Sequence, residues 1–188
     1  VLYTGNGTSA SDTQAISGVG FSPDWVWIKN RTDAAFHILN DRVRGAGKNL
    51  FSNSTAEENT GGSTGDLFTS FDSDGFTVNY EYGGGTNNST NQNSKAYVAW
   101  NWLAGGSAVS NSDGSVTSSV SANTKAKFSI VNFQGTGSVI TVGHGLSSTP
   151  DFIILKSRDI SSSQWGTYHS SLGATKSTYL NSTNAPAT

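Results

Sequence analysis

Short apolar runs alternate with clusters of Gly, Asn and Ser along most of this chain. In Trp25-Val26-Trp27-Ile28 the side chains change sides at each step, so the tryptophans share one face of a strand and Val26 and Ile28 the other. Similar β-branched or aromatic runs occupy residues 1–5, 24–30, 36–43, 49–53, 66–71, 76–82 and 96–102. Turn-forming clusters separate them at roughly 8–12 residue spacing, which reads as a series of strands. Asp72-Ser73-Asp74-Gly75 is a tight hairpin signal. Residues 83–94 are a polar loop without periodicity, and a helix fits only near Leu39–Val43, where Gly45 and Gly47 would stop it. The expected fold class is all-β: an antiparallel β-sandwich of the jelly-roll or concanavalin-like kind.

The pattern also repeats. Tyr3–Gly7 (YTGNG) matches Phe133–Gly137 (FQGTG), and Gly18–Phe21 matches Gly143–Leu146. Pro23–Arg31 (PDWVWIKNR) matches Pro150–Arg158 (PDFIILKSR). Gly45–Lys48 matches Gly173–Lys176, and Leu50–Ala56 matches Tyr179–Ala185. Five blocks in one order at nearly constant offset point to a tandem duplication. Nothing after Ala185 answers residues 66–102, so the second copy is expected to be incomplete, with strand edges and apolar faces that further chain or another subunit would cover. The expected organisation is a first sandwich repeat over 1–105, a Ser-rich linker or β-arm over 106–127 with alternation around Val116 and Val120, and the N-terminal part of a homologous repeat over 128–188.

Composition narrows the chemistry. There is no cysteine, so disulfides and thiolate metal sites are ruled out. His37, His144 and His169 lack metal-ligand spacing, and no metal or cofactor is expected. With a net charge of −2 and scattered basic residues, nucleic acid is not an expected partner. No apolar run approaches the roughly 18 residues of a membrane span. Charged residues make up 13% of the chain, about half the usual share, a balance met in extracellular and virion β-proteins.

Candidate catalytic groups each have a structural reading. Asp72 and Asp74 could serve as the paired carboxylates of a glycosidase, but Asp74-Gly75 is better explained as the hairpin itself. Glu57-Glu58 is a loop pair without aromatic support. The Asp-Gly steps lack the remaining ligands of a calcium loop. Serine is abundant, but no G-x-S-x-G elbow is present, and His144 in GHGL reads as a turn residue. Gly45–Lys48 lacks full phosphate-loop spacing. The Asn-x-Ser/Thr triplets at Asn6, Asn30, Asn53, Asn87, Asn88 and Asn181 follow from composition.

Sugar binding is the strongest functional option. Trp25, Trp27, Trp100, Trp102 and Trp165 supply aromatic faces, and lectin sites add Asn, Asp or Arg for hydroxyls. The second copy, however, has Phe152 and Ile154 where the first has Trp25 and Trp27. A core strand needs only bulk there, which shifts these tryptophans toward the sandwich core and a ligand site toward the charged rim. The rim candidates are Asn30, Arg31, His37 and Asp41.

Taken together, YTGNGT, GFSPDWVWIKNR, DRVRGAGKNLFSNSTAEE, LFTSFDSDGFTV, YVAWNWLAGG and their second-copy counterparts resemble a repeat module of tailed-bacteriophage virion proteins. That family is described as a domain of unknown function near lectin-like jelly rolls. The resemblance implies a tail, fibre or other surface component of a virion, with other virion proteins and copies of itself as partners and a host-surface glycan as a possible ligand. It implies no catalytic residues. The functions it sets in order are a non-catalytic structural or adhesion module, then a glycan-binding receptor module, then a polysaccharide-degrading enzyme.

Overall fold

The computed structural model describes residues 1–9, 12–60, 66–80 and 89–186. In the first half, strands β1 (Leu2–Thr4), β2 (Thr13–Ile16), β3 (Trp25–Asn30), β4 (Ile38–Asp41), β5 (Leu50–Phe51), β6 (Phe68–Asp72), β7 (Gly75–Asn79) and β8 (Ala96–Trp102) make two antiparallel sheets. One is ordered β1-β8-β3-β4-β5 and the other β2-β7-β6. Alternation decides which side chains meet between them. Val26, Ile28, Ile38, Phe51, Tyr97 and Ala99 point inward from the first sheet to Ile16, Phe68, Phe76 and Val78 of the second. Each such side chain contributes about 1.5–3 kcal/mol of hydrophobic stabilisation when fully buried. The fold is thus all-β and consistent with a sandwich.

Seven of these strands coincide with the apolar runs of the sequence; β2, with the sequence TQAI, does not stand out as one. The hairpin at Asp72–Gly75 forms, with Asp72 and Gly75 paired across it. Leu39–Val43 is not a helix: Ile38 and Asn40 face inward and Leu39 and Asp41 outward, a strand alternation fixed by pairing with β3, and a turn follows at Arg42. Of the polar loop, residues 83–88, with Asn87 and Asn88, lie outside the described residues, as do Glu81 and Tyr82. Its described end is packed rather than solvated: Ser89, Thr90 and Asn91 are buried. Asn91 Nδ2 donates to Asp12 O, the Asn6 amide donates to Asn91 Oδ1, and Tyr3 Oη donates to Thr90 O. This segment lies so close to Gly5 and Gly7 that a Cβ on the first would overlap Gln92 O and on the second Asn91 O.

The second half holds two three-stranded antiparallel sheets. β9 (Val109–Asn111), β10 (Ser118–Asn123) and β11 (Phe128–Phe133) form one, in the order β11-β10-β9. The 106–127 segment, expected as a linker or β-arm, contains β9 and β10, and residues 127 and 128 fall between two paired strands, β10 and β11. β12 (Phe152–Leu155), β13 (Gly166–His169) and β14 (Thr178–Tyr179) form the other. Their pairing mirrors that of β3, β4 and β5. Trp25 faces Asp41 and Phe152 faces His169; Ile28 faces Ile38 and Leu155 faces Gly166; Ile38 faces Phe51 and Gly166 faces Tyr179. β12 is displaced from β3 by 127 residues (152 − 25), and β13 from β4 by 128 (166 − 38).

The outward face of the β3-β4-β5 region receives this second sheet. Leu39, Leu50 and Trp165 are buried together, with Trp25, Trp27 and Ile154 packed against them. Val26 and Ile28, rather than the tryptophans of β3, enter the sandwich core. Trp25 and Trp27 are half-buried on the opposite face.

Candidate functional site

Of the four rim candidates, three lie near one end of β3 and β4. Asn30 is buried, and its Oδ1 accepts from the Thr32 and Asp33 amides, closing the turn that leaves β3. Arg31 is exposed, and its amide donates to Ala96 O. The His37 amide donates to Asn53 Oδ1, and Nε2 of its ring lies 2.9 Å from Lys29 Nζ. Burial first, and then the Lys29 charge, push the His37 ring below its ordinary value, so a neutral imidazole accepts from the ammonium.

Asp41 sits at the other end of β4, opposite Trp25, roughly 13 Å from His37 at about 3.3 Å per residue. Its carboxylate is buried and turned to Arg44, whose amide and Nε donate to it at 2.9 and 2.5 Å. Arg44 Nη1 also donates to Lys48 O at 2.7 Å and to Glu58 Oε2 at 2.9 Å, and its Nη2 to Leu39 O. The structure thus groups Asn30, Arg31 and His37 and places Asp41 in a separate buried network.

Sequence reasoning missed the rest of that network. Glu58 Oε1 receives Arg158 Nη2 at 2.7 Å, its Oε2 receives Arg158 Nε at 2.9 Å, and its amide donates to Arg158 O. Arg158 Nη1 continues to Asn132 Oδ1 on β11. Burial alone would raise the Glu58 carboxyl, but the hydrogen bonds and charges of Arg158 and Arg44 outweigh it and hold the group below its ordinary 4.5. Nearby, Lys156 Nζ donates to Thr55 O, and Trp165 Nε1 donates to Phe51 O and Ser54 O. The one local signal was that Arg158 and Lys156 stand where the first repeat block has Arg31 and Lys29.

Four tryptophans tile the outward face of β3 and β8. Trp25 pairs across the strands with Trp102 and Trp27 with Trp100, at centroid distances of 4.3 and 5.8 Å. Phe128 extends the group beside Trp25. Trp27 Nε1 donates to Ser52 Oγ, and Trp100 is the most exposed of the four, at 44%. Lys29, two residues after Trp27, shares this face with Val98 and Leu2. An indole face next to an ammonium can take the apolar side of a pyranose and one of its polar substituents.

The remaining candidates have structural partners. Ser70 and Thr77 hydroxyls donate to Asp72, and the Gly18 and Gly20 amides donate to Asp74, which lowers its pKa. Nδ1 of His144 accepts from the Leu146 amide, beside an open concavity of about 390 Å³ lined also by Asp113, Thr124 and Val142. Among the described residues, no three His, Cys, Asp or Glu side chains are grouped to hold a metal ion.

No curated protein matches the chain. No solved structure matches it either. A family model does match, over residues 1–188, and the chain belongs to the family described as a domain of unknown function, DUF7483.

Proposed function

We propose that this chain is a non-catalytic structural and adhesion module of a bacteriophage virion surface, built from one β-sandwich module and the first part of a second copy. The observation that carries this reading is the shared pairing register of β3-β4-β5 and β12-β13-β14. Two copies of one strand triplet, docked directly by Trp165 and the Glu58 ion pairs, are a means of building a stiff serial assembly. The ionised side chains with the strongest partners (Asp24, Asp41, Arg44, Glu58, Arg158) hold parts of the fold together. The partners on this reading are other virion proteins and further copies of the chain. Antibody labelling of intact particles in the electron microscope tests it: labelled tails, fibres or capsid surfaces are expected, and recovery of the chain only as a free soluble protein would overturn it.

A second reading, glycan recognition, is favoured by the exposed indole of Trp100 beside Trp27 and Lys29. A glycan array against the recombinant chain is its test. Binding lost on Trp100→Ala supports it, and no binding at millimolar sugar removes it.

A further inference from the structure

We propose that the inward face and outer edge of β12 form an acceptor site for an extended polypeptide strand of the β8 pattern, added antiparallel to β12 as β8 is to β3. The proposal rests on reading the two strand triplets as copies of one module. Val26 and Ile28 on β3 are both 0% exposed, whereas their register counterparts Ile153 and Leu155 are 45% and 53% exposed. Phe51, on the same inward face, is buried, and its counterpart Tyr179 only half-buried. β3 lies between β8 and β4; among the described residues β12 pairs with β13 alone. Apolar side chains at alternate positions beside an edge strand's backbone donors and acceptors are the elements of strand addition.

β8 states the chemistry of the occupant. It pairs antiparallel with β3 from Trp25–Trp102 to Asn30–Tyr97 and sends Tyr97, Ala99 and Asn101 inward. Ala99 stands beside Ile28, where its small side chain leaves room for the branched one. Transferred by register, the occupant places a small residue beside Leu155 and an aromatic one beside Phe152. The site thus selects an alternating strand with a small residue at a defined position, not any apolar peptide.

The test uses the full chain and a labelled synthetic nonapeptide, residues 95–103 (KAYVAWNWL). Binding is read by fluorescence anisotropy and location by amide hydrogen exchange. Saturable binding that slows exchange in β12 is expected. Affinity should fall about tenfold or more with a protein carrying Ile153→Lys and Leu155→Lys, or with a peptide carrying Ala99→Trp. Both protein substitutions are at exposed positions, so an unchanged far-UV spectrum is expected. No binding, or protection at β3 instead of β12, overturns the site while leaving the module reading in place. Equal binding of the Ala99→Trp and reversed-sequence peptides overturns the β8 assignment and the module reading together. Concentration-dependent protection of β12 without peptide makes a second copy the occupant and also overturns the proposal.

Discussion

β3-β4-β5 and β12-β13-β14 share a register, yet the same positions do different work in each. Asp24, before β3, is buried: its Oδ2 accepts from the Ala104 and Gly106 amides and its Oδ1 from Arg42 Nε. Asp151, its counterpart before β12, is exposed. Gly5 is pressed against Gln92, while Gly135, in the matching motif, would meet nothing within 4 Å of an added Cβ. Arg31 is exposed, while Arg158 clasps Glu58. The paired strands thus keep their register between the regions, but the energetic weight of each position is set by neighbours distant in sequence: Gln92 and Ala104 in one region, Glu58 in the other.

The contrast can be broken by paired substitutions. The largest difference is expected in the core. Ile28→Ala should cost about 3–4 kcal/mol, within the range for buried aliphatic truncations, and Leu155→Ala less than about 0.5 kcal/mol, as at an exposed site. Denaturant midpoints compare them directly, and equal losses would mean that Leu155 is covered in solution. Next, Asp24→Ala strands two amides and an arginine and should cost about 2–3 kcal/mol; Asp151→Ala, which removes no such partners, should leave thermal unfolding almost unchanged. Gly5→Ala forces a methyl into backbone and should cost about 1–3 kcal/mol, against near zero for Gly135→Ala. A similar effect at both glycines would show that the motif itself, rather than the 89–94 segment, requires them.

The smallest effect is on the joint between the regions, and it depends on pH. The Glu58 carboxyl is lower in the folded chain than its ordinary 4.5. Its contribution is therefore fully present above that value and is lost as pH falls through the folded one. Acidification below about 4.5 should raise hydrogen exchange around Arg158 before the sandwich core opens, and Glu58→Gln should remove that pH dependence.

Much of the sandwich was legible in local pattern. Alternation located β3 and β8, and Asp-Gly located the β6–β7 turn, because both signals lie within a few residues. What alternation cannot tell is which face becomes the core: bulk alone favours Trp25 and Trp27, but Val26 and Ile28 are inside because β2-β7-β6 covers their side. β2, β13 and β14 carry few apolar residues and are strands through their neighbours' hydrogen bonds. Of the rim residues, the β3–β4 ladder brings Asn30, Arg31 and His37 to one end and carries Asp41 to the other, a consequence of antiparallel pairing. The Arg44–Glu58–Arg158 chain spans 100 residues between Glu58 and Arg158 and has no short-range signature.

The position of β8 in its sheet also sets an order of events in time. Both neighbours of β8 precede it in the chain, and Val1, whose amino group donates to Ala99 O, must wait 98 residues for its partner. Long loop closures of this kind slow folding, and a chain emerging from the ribosome N-terminus first meets them late. Until β8 arrives, β3 has β4 on one side and nothing on the other. Among the described residues β12 likewise has β13 on one side and no strand on the other, so its backbone pairing matches that of β3 at this early stage.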